Sequence, residues 1–210
     1  MSASVKQILE SASPVLPVIA IDNLEDAVPL AKALKAGGLT VLEVTLRTDV
    51  AFDAIKAMQG VEGITVGAGT VKNVRQLKDL EELGVDFAVS PGSTHELLEA
   101  GIESSIPFLP AVSTVSEMIK GLDTGYDCFK FFPASAFGGI SALKAFYGPL
   151  PELQFCPTGG VSADNFKDYL ALPNVICVGG SWVVPKNALK NRDWNHITEL
   201  ARQATGHSVS

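Results

Sequence analysis

Short apolar runs recur along the chain, roughly 20 to 27 residues apart, a spacing that fits one strand and one helix per repeat. They occupy residues 15–21, 41–46, 64–68, 87–90, 107–111, 128–132, 154–157 and 175–178. Helical periodicity fills the gaps. Leu24, Ala27, Val28, Ala31 and Leu34 fall on one face. Val74, Leu77, Leu80 and Leu83 fall on another, closed by Gly84 as a C-cap. Asn73, Ser93, Ser113 and Ser162 are predicted N-caps. Val5, Ile8 and Leu9 predict a short leading helix.

Eight β/α units build either a closed (β/α)8 barrel or an open, doubly wound sheet. An open parallel sheet is buried on both faces and reads as nearly continuous apolar sequence. Here Glu43, Thr45 and Arg47 share one face of the second run, and Lys130 interrupts the sixth. The pattern therefore predicts a single (β/α)8 TIM barrel with a short N-terminal helix. It would span residues 1–210 as one domain with short loops.

Composition narrows the partners. The chain is 47% hydrophobic with 7% aromatics, so its core is mostly aliphatic. A net charge of −7 argues against nucleic acid or an anionic membrane as the main partner, while leaving room for a small anion at a local site. Cys128, Cys156 and Cys177 lie singly in apolar runs without CxxC spacing, which points to reduced thiols and a cytoplasmic setting. The opening residues lack the apolar stretch of a signal peptide, and no run approaches the length of about 18 apolar residues that spans a membrane.

Lys130 is the outlier, set in Cys128-Phe129-Lys130-Phe131-Phe132-Pro133. Taking its charge out of water costs several kcal/mol unless the group is paired or gives up its proton. A desolvated lysine yields its proton readily, and the neutral amine is a nucleophile. Other polar residues gather at the C-terminal ends of the runs, where barrel enzymes keep their sites. Gly159-Gly160 and Gly179-Gly180 end the last two runs, the usual place for a phosphate, with Ser181 adding a hydroxyl. The plainer alternative is that these glycines only permit tight turns. Gly67-Ala68-Gly69-Thr70 lacks the third glycine of a dinucleotide fingerprint. Glu43 would point into the barrel, either as a proton carrier or as the ion-pair partner of Arg47 or Lys130. Arg47 could grip a carboxylate with both arms of its guanidinium. The histidines have no metal-ligand spacing, so no metal is predicted.

These segments resemble bacterial 2-keto-3-deoxy-6-phosphogluconate (KDPG) aldolases, which also act as 4-hydroxy-2-oxoglutarate aldolases. The likeness rests on Glu43-Val44-Thr45-Leu46-Arg47-Thr48, Val66-Gly67-Ala68-Gly69-Thr70-Val71 and Ser90-Pro91-Gly92. It continues through Phe129-Lys130-Phe131-Phe132-Pro133-Ala134, Phe155-Cys156-Pro157-Thr158-Gly159-Gly160 and Gly179-Gly180-Ser181-Trp182. It runs from Ile8 to Ala201 and leaves a tail at Gly206-His207, read as frayed. The resemblance implies a class I, metal- and cofactor-free barrel aldolase, typically a homotrimer, acting on a phosphorylated keto acid and pyruvate. By position it makes Lys130 the Schiff-base lysine and Glu43 the general acid/base. Arg47 and Thr70 would bind the pyruvate carboxylate, and Thr158 would bear on stereochemistry. Pro91 and Phe132 would line the substrate pocket, and Gly159, Gly160, Gly180 and Ser181 would hold the phosphate. Two other readings of the residues stay open: a phosphate-binding isomerase or epimerase using Glu43 as base without an imine, and a non-catalytic sugar-phosphate-binding barrel.

Overall fold

A computed structural model describes residues 4–206; the segment read for a leader and the tail at His207 lie partly or wholly outside them. The predicted leading helix is α1 (Val5–Ala12), started by a capping box in which Ser4 and Gln7 exchange side-chain and backbone hydrogen bonds. Then follow β1 (Val15–Ile19), α2 (Ala27–Ala36), β2 (Val41–Thr45), α3 (Ala51–Gln59), β3 (Thr65–Gly69), α4 (Val74–Leu83), β4 (Phe87–Val89) and α5 (His95–Glu103). The fifth run splits into β5 (Phe108–Leu109) and β6 (Ala111–Val112). The chain ends through α6 (Val115–Thr124), β7 (Cys128–Phe131), α7 (Gly139–Tyr147), β8 (Gln154–Pro157), α8 (Phe166–Leu170), β9 (Val178–Gly180), α9 (Lys186–Lys190) and α10 (Trp194–Thr205).

The expected closed eight-stranded TIM barrel is not what forms. The strands pair in parallel into a six-stranded half-barrel sheet, ordered β5-β4-β3-β2-β1-β9, and a separate three-stranded sheet, β6-β7-β8. Prolines explain both breaks, because a proline has no N–H to give a ladder. At Pro110 the chain leaves β4 for β7: Leu109 accepts from Ser90 N–H, Pro110 accepts from Lys130 N–H, and Ala111 N–H goes to the Ser90 hydroxyl. Between β8 and β9, Pro157 interrupts the pairing, leaving only isolated bridges, Phe155 to Val175 and Thr158 to Gly179.

One apolar cluster packs the helices on the outer sheet faces, through Leu30, Leu34, Leu42, Val44, Val66 and Leu80 among others. A second fills the space inside the strands with Leu16, Val41, Phe87, Val89, Leu109 and the three cysteines, and α1 adds Ile8, Leu9 and Ala12. The inner cluster thus occupies the side that α1 covers, and polar residues take the opposite, C-terminal ends of the strands.

Three predicted caps shift. Thr94, not Ser93, caps α5, accepting from Leu97 N–H. Thr114, not Ser113, caps α6 in a capping box with Glu117. Asn165, not Ser162, precedes α8, and its side chain accepts from Ser162 N–H. Ser93 and Ser113 are engaged elsewhere, with Ser90 and with the Phe132 carbonyl. Asn73 caps α4 as predicted, and Gly84 ends it in the left-handed region at φ 73°. Leu24 stands in a short turn before α2 and is exposed.

Candidate active site

Alternation along β2 aims Glu43 and Thr45 at the interior, and alternation along β7 aims Cys128 and Lys130 there. The side chains of Glu43 and Lys130 meet across the space between the two sheets. Lys130 Nζ donates to Glu43 Oε1 at 3.0 Å, with only 5% of the lysine and 1% of the glutamate exposed. Of the two outcomes open to a buried ammonium, the fold therefore provides pairing. Glu43 Oε2 is buried and makes no hydrogen bond among the described residues. The Phe132 ring centroid lies 5.5 Å from Lys130 Nζ, so an aromatic face walls one side of the amine.

Arg47 lies just past β2 and is exposed. Its Nε donates to Thr45 Oγ1 at 2.9 Å, and Thr45 in turn donates to the Ile19 carbonyl at 2.8 Å. The ion pair of Glu43 is thus with Lys130, and Arg47 is steered by a threonine. Thr70 follows β3 with φ 65°, a left-handed conformation that a β-branched residue rarely adopts. Such outliers cluster at functional sites, where the surroundings hold them in place. Pro91, half-buried, follows β4.

Thr158 is buried, donates its hydroxyl weakly to Cys156 O at 3.3 Å, and bridges to Gly179. That bridge sets Gly159-Gly160 beside Gly180-Ser181. Gly159 and Gly160 have φ of 95° and 76°, which only glycine adopts without strain. Gly159 packs against Phe132 and Pro133, so the glycine turn reaches the wall of the lysine pocket. Ser181 is exposed at the end of β9.

The cysteines are buried and unpaired. Burial pushes the Cys128 thiol up to about 12. A hydrogen bond with Cys156, together with burial, raises Cys177 well above the ordinary thiol range. Neither is a thiolate at neutral pH. Among the described residues no group of three or more His, Cys, Asp or Glu is arranged to hold a metal ion.

The family model for KDPG and KHG aldolases matches residues 5–200. The chain belongs to that aldolase family. It is 55% identical over 195 residues to the KHG/KDPG aldolase of Escherichia coli K12, covering 92% of each chain. It is 54% identical to the KDPG aldolase of Legionella pneumophila, covering 93% of this chain and 96% of that one with a TM-score of 0.91. That structure holds pyruvate captured at low pH as a covalent carbinolamine intermediate. The KDPG aldolase of Zymomonas mobilis ZM4 with 3-phosphoglycerate is 44% identical, covers 98% of this chain and 97% of that one, and has a TM-score of 0.92.

Three further residues shape the same region. Alternation places Thr45 on the inner face, and the fold adds its contact with Arg47. Ser135 donates its N–H to Gly159 O at 3.0 Å, and its hydroxyl lies against Gly160. Asn165 clamps the same loop, donating to Gly160 O at 3.1 Å while accepting from Ser162 N–H at 2.8 Å. Only Thr45 carried a signal, its alternation with Glu43; the others act through loop geometry.

Proposed function

We propose that this chain is a class I aldolase. It cleaves KDPG reversibly to pyruvate and glyceraldehyde 3-phosphate, and 4-hydroxy-2-oxoglutarate to pyruvate and glyoxylate. The observation that carries this reading is the buried 3.0 Å contact between Lys130 Nζ and Glu43 Oε1. A nucleophile and its base within hydrogen-bond reach is the signature of covalent catalysis. The carbinolamine in the Legionella relative supports the same chemistry. Membership of the family of KDPG and KHG aldolases, and the likeness to the KHG/KDPG aldolase of Escherichia coli, support both substrates.

Breaking the C3–C4 bond leaves an electron pair that needs a sink. Lys130 Nζ passes a proton to Glu43 and adds to the C2 carbonyl, giving a carbinolamine. Glu43 returns that proton to the carbinolamine hydroxyl, which leaves as water, giving a protonated imine and a carboxylate free to act again. Glu43 then removes the C4 hydroxyl proton, through the oxygen left free of protein partners or through a water. The hydroxyl oxygen becomes the aldehyde, and the C3–C4 pair moves toward the imine nitrogen as an enamine. Protonation at C3 and hydrolysis release pyruvate and return Lys130.

Arg47 and Thr70 hold the pyruvate carboxylate, turning the keto carbon toward the amine. Phe132 and Pro91 wall the pocket, and Thr158 bears on the face at which the aldehyde is met. The phosphate lies against Gly159, Gly160, Gly180 and Ser181, where positive-φ glycines free backbone N–H groups to face an anion. The 3-phosphoglycerate in the Zymomonas structure supports a phosphorylated ligand. No cofactor enters the cycle.

The resemblance also favours a homotrimer in the cytoplasm, and the unpaired cysteines suit a reducing compartment. Sedimentation velocity tests the trimer. For the activity, pyruvate release from each substrate is measured in an assay coupled to NADH oxidation. Turnover of both is expected; no pyruvate from either would overturn the reading.

A further inference from the structure

We infer that Gly69 is a positioning residue for the reaction, its missing side chain deciding where the Glu43 carboxylate stands relative to Lys130. This rests on the reading of Glu43 as proton carrier. Strand β3 lies between β2 and β4, with Glu43 opposite Gly67, Thr45 opposite Gly69, and Gly67 opposite Phe87. Beyond Thr65 at its start, the inner face of β3 therefore carries two glycines and no side chain. Its neighbours fill the space: the Phe87 ring lies against Gly67 from one side, and the Glu43 carboxylate lies against Gly69 from the other.

A methyl group at Gly69 would come within 2.8 Å of both Cγ and Cδ of Glu43, and closer still to Oε1. Oε1 is the oxygen that meets Lys130 Nζ. Gly69 is not among the positive-φ residues, so backbone freedom does not account for it; space does. Neither side can easily give way. The β3 backbone is held in its ladder, with Gly69 O accepting from Leu46 N–H at 2.8 Å. The carboxylate is buried and tied to Lys130, so moving off a methyl group means leaving the amine.

The test is a double-mutant cycle on Gly69→Ala and Glu43→Asp. Aspartate is one methylene shorter, so its carboxylate withdraws from residue 69. In the wild-type background Gly69→Ala is expected to lower kcat for KDPG cleavage about 100-fold with KM changed less than about threefold, the scale of a misplaced reacting group. In the Glu43→Asp background the same substitution is expected to cost less than about fivefold. An equal cost in both backgrounds, or no cost in either, overturns the inference. Should Gly69→Ala alone fail to fold, recovery of folding in the double variant supports it, and a double variant that also fails to fold overturns it. If Glu43→Asp and Glu43→Gln both leave kcat unchanged, the reading of Glu43 itself fails. If they slow cleavage while Gly69→Ala adds its full cost in each, only the role of Gly69 fails.

Discussion

Lys130 Nζ and Glu43 Oε1 stand 3.0 Å apart although 87 residues separate them and they belong to different sheets. A buried pair of this kind stabilises little relative to apolar residues of similar size, but breaking it leaves an uncompensated charge. Lys130→Met is therefore expected to destabilise the fold by about 3 kcal/mol at neutral pH. Lys130→Met with Glu43→Leu is expected to regain most of that loss while remaining inactive. Urea denaturation of both variants decides it; a double variant no more stable than the single one would show that the pair does not behave as an isolated buried charge couple.

Thr70 keeps a left-handed backbone that costs a β-branched residue roughly 1–3 kcal/mol. Asparagine tolerates that region, so Thr70→Asn is expected to raise the unfolding free energy by about 1 kcal/mol. If Thr70 also holds the substrate carboxylate, the same variant raises KM for the keto acid. Loss of stability would mean that the threonine's contacts outweigh its strain.

Thr45 orients Arg47 through the 2.9 Å contact of its hydroxyl with Nε. Thr45→Val keeps the shape and removes the hydrogen bonds. Steady-state kinetics should show KM rising about tenfold with kcat nearly unchanged, the worth of one hydrogen bond to a charged group. A fall in kcat with constant KM would place Thr45 in the chemical step instead.

Glu81 fastens the end of α4 to the loop before β5, accepting from Ser104 Oγ at 2.8 Å, Ser105 N at 2.6 Å and Ser105 Oγ at 3.0 Å. Burial raises its carboxyl, but these hydrogen bonds and Lys78 outweigh burial and hold it below the usual carboxylate range. The folded state thus favours the charged form. Its contribution is present at neutral pH and lost as pH falls through the lowered range. Glu81→Gln is expected to cost about 1 kcal/mol near pH 7, with the difference from the parent protein shrinking in acid. Parallel thermal melts across pH check this; a constant difference would deny the carboxylate any special role.

Much of this was legible from side-chain pattern alone. Lys130 was visible as a charge inside an apolar run, and Glu43 because alternation put it on the same face as Thr45. The strand runs could be located, but which edges exchange hydrogen bonds could not. Pro110 and Pro157 look like ordinary members of apolar segments, yet their missing N–H groups split the pairing into two sheets. Gly69 shows in the sequence only as part of a weak glycine motif, because its importance depends on how far Glu43 reaches from the neighbouring strand. The caps moved where Ser93 and Ser113 had other partners in the folded chain.

Catalysis turns on an imine at one particular amine. The protein is incubated with pyruvate, reduced with sodium borohydride, digested, and its peptides are mapped by mass spectrometry. One pyruvate-derived adduct is expected, on Lys130, and none in the Lys130→Arg variant. Full aldol cleavage with no trapped adduct, or an adduct on another lysine, would contradict it.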